Sequence, residues 1–149
     1  MAIELTIMNA NQAREYAIAH QLQLDVMEGT ASQANIEATL STIGSVVLGK
    51  IFYGTPGGTI AAFASLMITI ANNSNVAATR SHLRGARDGF YEIENFLNSS
   101  SNYLQAEVEQ VWIGLPYPNS PTKFVEGVEA NPSQAYRIRR VLLANGQWQ

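Results

Sequence analysis

The sequence has no cysteine and only two histidines, and charged residues occupy 14% of its 149 positions. Without cysteine there is no disulfide framework, no thiol nucleophile and no thiolate metal site. His20 and His82 lack a second histidine or carboxylate at a recognised metal spacing, so each is read as a surface or internally satisfied side chain. No Gly-x-Ser-x-Gly elbow is present. The segment Gly54-Thr55-Pro56-Gly57-Gly58-Thr59 lacks the Lys-Ser/Thr ending of a phosphate loop and reads as a turn between helices. Asp25, Glu28, Glu37, Asp88, Glu92 and Glu94 fall at ordinary helix-surface positions. No catalytic, cofactor-binding or metal-binding residue is assigned, and an enzyme is not expected.

Basic residues are also scarce. Nine Lys and Arg against twelve Asp and Glu leave a net charge of −3 and a pI near 5.3, which argues against nucleic acid as a partner. Met1 to Arg14 has neither a basic n-region nor an apolar h-region, so no Sec signal peptide is read, and export would need a non-classical route. No small-molecule substrate is inferred.

What is present is 46% hydrophobic residues in a chain long enough for one self-sufficient core. Ser, Thr, Asn and Gln fill 41 positions, so the surface is covered largely by neutral polar groups. Such a surface offers little charge repulsion between copies.

Helical spacing runs from residue 9 to residue 115. Asn9 with Gln12 has capping-box spacing, and Ala13, Ala17, His20, Leu24 and Met27 continue a helix that Gly29 ends. Thr30 with Gln33 repeats the cap, and Ile36, Leu40, Ile43, Val47 and Ile51 predict a second helix to about Tyr53. Pro56 suits the first position of a third helix with Thr55 as its cap, followed by Ile60, Phe63, Met67 and Ile70. Val76, Thr79, Leu83, Ala86, Phe90, Ile93 and Leu97 mark a fourth, in which Gly85 and Gly89 permit the close approach of another helix. Leu104, Val108, Val111 and Leu115 predict a fifth.

Residues 116–121 form a Pro-rich linker, beyond which Thr122–Glu129 and Gln134–Leu143 read as a β-hairpin turning at Ala130-Asn131-Pro132-Ser133. The expected fold is therefore mainly α. A bundle of about five helices over 1–115 would be followed by a small C-terminal β-hairpin over 122–149, packed on the bundle or on a neighbour.

From Ala38 to Thr79 the only charge is Lys50. Two apolar helices across 31–72 would make a central hairpin, with Leu40, Ile43, Val47, Ile51, Phe52, Pro56, Ile60, Phe63, Met67 and Ile70 as its candidate membrane or assembly surface. Its apolar runs, Leu40–Ile51 and Thr59–Ala71, are shorter than the roughly 17 residues needed to cross a bilayer. A permanent two-span protein is therefore not expected. Helices that are apolar all round are usually buried, so the same hairpin reads first as the bundle's centre, wrapped by the first, fourth and fifth helices. Leu40, Ile43, Val47, Phe63, Met67, Leu83 and Phe90 are its expected core.

The hairpin resembles the hydrophobic hairpin in the channel domains of pore-forming colicins, which implies a water-soluble bundle that inserts the hairpin on meeting lipid. Tyr103 with Glu107, and Trp112-Ile113-Gly114, look like pieces of the small helical substrates of type VII secretion. No residue role is carried over from either resemblance.

Arg80, Arg84 and Arg87 share one side of the fourth helix and are the candidate basic contact face, although Asp88 lies where it can pair with Arg84. Arg137, Arg139 and Arg140 are expected to pair with Glu126 and Glu129 across the hairpin. Two functional expectations follow. One is a non-enzymatic, membrane-active, toxin-like or effector-like helical protein whose partner is the lipid membrane. The other is a self-assembling structural subunit of a filament, crystal or particle, whose partner is itself.

Overall fold

A computed structural model describes residues 2–53, 58–114 and 122–149. The order of elements is β1 (Ala2–Met8), α1 (Ala10–Met27), α2 (Gln33–Leu40), α3 (Ser45–Ile51), α4 (Ile60–Ser74), α5 (Ala77–Asn98), β2 (Tyr103–Gly114), β3 (Lys123–Val125), a 3-10 turn (Pro132–Ala135) and β4 (Tyr136–Leu143). Among the described residues, five helices and a four-stranded antiparallel sheet make an α+β fold. This overturns the expected mainly helical bundle with a small C-terminal hairpin.

The helix starts are local and chemical. Asn9 and Gln12 form a reciprocal capping box at α1, and Gly29 follows the helix at φ 73°. Ser32, not Thr30, caps α2, because the Thr30 hydroxyl donates to the Asp25 carbonyl instead. The predicted long second helix breaks after Leu40. There the hydroxyls of Ser41 and Thr42 bond back to the Glu37 and Thr39 carbonyls, and the Gly44 N–H donates to Glu15 Oε1 at 3.2 Å before α3 begins. Thr59 caps α4, accepting from the Ala62 N–H at 3.2 Å. Thr55 and Pro56, expected to start this helix, and the 116–121 linker lie outside the described residues.

The predicted fifth helix is the central strand. Along β2 the buried residues alternate as Ala106, Val108, Gln110 and Trp112, with Glu107, Glu109, Val111 and Ile113 on the other face. Burial thus follows a period of two, and the three- and four-residue spacing of Leu104, Val108 and Val111 carries no helix. Ala106 to Trp112 pairs with the whole of β1 on one edge. On the other edge β2 pairs first with β4 and then, at Trp112 to Gly114, with β3.

The predicted C-terminal hairpin does not form either. Strands β3 and β4 both pair with β2 rather than with each other, and Pro132–Ala135 adopts a 3-10 turn. A register shift opposite Glu107 and Val108 bulges β4 at Arg139.

Helices α1 and α5 pack together against the inner face of the sheet. Trp112 lies at the junction, with ring centroids 5.8 Å from Tyr16, 6.3 Å from His20 and 6.3 Å from Phe90. The close approach foreseen at Gly85 and Gly89 is real, but the partner is the 127–136 segment and not a helix. A Cβ on Gly85 would overlap the Val128 backbone, and one on Gly89 would press on Pro132 and Tyr136.

Candidate functional site

The sheet has one face under helices and one without. On β1 the alternation Ile3-Glu4-Leu5-Thr6-Ile7 sends Glu4 and Thr6 inward and leaves Ile3, Leu5 and Ile7 outward, 72%, 57% and 46% exposed. These three side chains stand opposite Val111, Glu109 and Glu107 of β2. Next across the sheet comes a basic row: Arg139 lies 3.7 Å from Glu109 and Arg140 3.1 Å from Glu107. The arginines therefore meet acids of β2 and not the expected Glu126 and Glu129. The outer face reads as an apolar stripe, an acidic stripe and a basic stripe, with the two charged ones pairing.

Beside the apolar stripe lies an open cleft of about 290 Å³, bounded by Ile3, Glu109, Gln110 and Val111 on one side and by residues 134–137 on the other.

The inner face of β1 is held by charge. Glu4 accepts from Lys50 Nζ at 2.5 Å and Lys123 Nζ at 3.0 Å, which ties β1 to α3 and β3. Burial raises the Glu4 pKa, but the two ammonium groups outweigh it and hold the carboxyl below its ordinary value. Lys50 lies 4.9 Å from the Trp112 ring centroid and Lys123 lies 4.3 Å from that of Tyr53. The one charge within the apolar 38–79 stretch is thus spent inside the molecule.

The hairpin candidates are elsewhere. Leu40, Ile43, Val47, Ile51, Phe52, Phe63, Met67 and Ile70 are buried, and Ile60 is half-buried against them. Pro56 lies outside the described residues. Phe52 and Phe63 stack at 4.3 Å across this layer. All seven residues expected to form the core, with Leu83 and Phe90 among them, are buried. No helix among the described residues is long and apolar enough to cross a membrane.

The arginine face of α5 is engaged within the chain. Arg80 donates to Asn75, Arg84 lies 3.5 Å from Glu28 and 3.8 Å from Glu129, and Arg87 donates to Asp88 and Gln21. The expected Arg84–Asp88 pairing is replaced by Arg87–Asp88. His82 donates from Nδ1 to the Gly127 carbonyl at 2.9 Å, and His20 is wholly buried between two backbone partners. Among the described residues no three His, Asp or Glu side chains gather as a metal site. Tyr103, Glu107, Trp112 and Gly114 all lie on β2, so the pieces resembling type VII substrates belong to a strand and not to a helical hairpin.

Sequence reasoning did not single out Ile3, Leu5 and Ile7. Their signal was the strict alternation of residues 3–7, too short to stand out beside the longer helical stripes. No family model, curated protein or solved structure matches this chain.

Proposed function

We propose that the chain is a non-enzymatic, self-associating subunit whose contact surface is the uncovered face and free edge of its sheet. The observation that carries this reading is the row of Ile3, Leu5 and Ile7, exposed side by side on an edge strand. Exposed apolar rows on open edges invite pairing, and soluble proteins usually blunt them with lysine, proline or a bulge. β1 has none of the three. A surface rich in neutral polar groups and poor in charge supports the same reading, because copies approach with little repulsion.

Size-exclusion chromatography with light scattering across a concentration series tests it. The wild-type chain should exceed its 16.2 kDa monomer mass as concentration rises, and Leu5→Lys should return it to monomer. A wild type that stays monomeric throughout overturns the reading.

A second reading is insertion of residues 31–72 into lipid, favoured by one observation. Lys50 is the only charge between Ala38 and Thr79, and insertion would have to release it from its bridge to Glu4 of β1. Dye release from vesicles of mixed anionic and zwitterionic phospholipid by a protein that remains monomeric would select this reading over self-association.

A further inference from the structure

We infer that the occupant of the β1 edge is a second copy of this chain, paired antiparallel about a two-fold axis through Leu5. This rests on the self-association reading and specifies its geometry.

The sequence of β1 is a palindrome in polarity. In an antiparallel pair centred on Leu5, Ile3 faces the partner's Ile7, Leu5 faces the partner's Leu5, and Ile7 faces the partner's Ile3. All three exposed apolar side chains are thereby matched on one face. On the inner face Glu4 comes opposite the partner's Thr6, so no like charges meet.

Neighbouring registers are worse for stated reasons. Centring on Glu4 sets two carboxylates against each other. Centring on Thr6 leaves Ile3 without one. A one-residue slip would pair outward side chains with inward ones and put the two helical layers on opposite faces.

The other side of the sheet explains why assembly would stop at two. Residues 147–149 fold back along β4. Val141 and Gln149 exchange backbone hydrogen bonds at 3.0 and 2.8 Å, the Leu143 N–H donates to the Gln147 carbonyl at 2.8 Å, and Trp148 bridges Leu142. Arg140 stacks over the Trp148 ring at 4.6 Å. Arg137 and Arg139 charge the rest of that strand. Strand β3 is only three residues long and its Val125 N–H is taken by His20, so among the described residues β1 is the one long edge with neither a covering segment nor a row of charges, and a single self-complementary edge closes as a dimer rather than propagating as a fibre. The product is one continuous eight-stranded antiparallel sheet.

The cysteine-free chain makes the test direct, since any introduced thiol is the only one. Directly opposed residues in an antiparallel pair have Cα atoms about 4.5–5.5 Å apart, inside the range a disulfide spans. Leu5→Cys should convert most of the protein to a covalent dimer under mild oxidation. Ile3→Cys and Ile7→Cys should each stay uncrosslinked alone, their equivalent positions lying about 13 Å apart along the strands, and should crosslink when mixed. Circular dichroism of the reduced variants checks that each is folded, which is expected at three exposed positions. Self-association without a Leu5→Cys crosslink, or with Ile3→Cys linking to itself as readily, overturns the two-fold pairing while self-association stands. A wild type monomeric at every concentration overturns both.

Discussion

The imidazole of His20 accepts the N–H of Val125 at Nε2, 3.2 Å away, and so joins α1 to β3 across 105 residues of chain. Its Nδ1–H donates to the Tyr16 carbonyl at 2.7 Å, so both ring nitrogens are committed to backbone and the ring is the neutral Nδ1–H tautomer. Burial drives its pKa down to about 4, against the opposing pull of the Tyr16 carbonyl. Protonation would set a second N–H against that of Val125. The unfolded chain takes up this proton near pH 6.5 and the folded one only near pH 4. Stability from this site is therefore complete above pH 6.5 and is lost as pH falls through that window, in total on the order of 3 kcal/mol. Urea titrations should show His20→Gln with a flatter stability profile than wild type between pH 7 and 5. Parallel profiles would show that His20 titrates normally.

Phe90 stacks on Tyr16 at 5.0 Å and meets both His20 and Trp112. Phe90→Ala removes the ring that joins α5 to α1 and to the sheet, and should cost about 3–5 kcal/mol through lost contacts and the cavity left behind. An unchanged denaturation midpoint would contradict this packing.

Two helical glycines should respond to alanine in opposite directions. Gly49 has open space where a Cβ would go, so Gly49→Ala should stabilise α3 by about 0.5–1 kcal/mol. At Gly85 a Cβ would overlap the Val128 backbone, and Gly85→Ala should cost about 1–3 kcal/mol despite its better helix propensity. Thermal melts of the two variants would settle the contrast, and equal shifts would refute it.

Glu4→Gln leaves Lys50 and Lys123 facing an uncharged amide. The loss should be about 1.5–3 kcal/mol at neutral pH, the usual worth of charged hydrogen bonds. Because the Glu4 carboxyl is held below its ordinary pKa, its contribution is present above the unfolded value of 4.5 and fades as pH falls through the lower folded one. The gap between wild type and variant should therefore shrink in acid. A gap independent of pH would assign the cost to packing instead.

Local rules are enough to read α1 and α5, because caps and three- and four-residue spacing depend only on neighbours along the chain. The capping box at Asn9, the stop at Gly29 and the stripe from Thr79 to Leu97 all appear where the residues suggest. The burial of Leu40, Val47, Phe63 and Met67 is equally readable, since residues so apolar leave water wherever the fold permits. The state of residues 103–114 is not local. The same side chains fit a short helical stripe or a strand, and the choice falls to β1, which is distant in sequence, and to β4, which together satisfy the backbone groups of β2 on both edges. Once β2 is a strand, the rest follows from pairing. The acids at 107 and 109 meet arginines of β4, β3 joins β2 rather than folding back on β4, and the alternation of Ile3, Leu5 and Ile7 becomes an exposed apolar edge. The exposure of that edge depends on which strand lies beside it, and β1 has β2 on one side only.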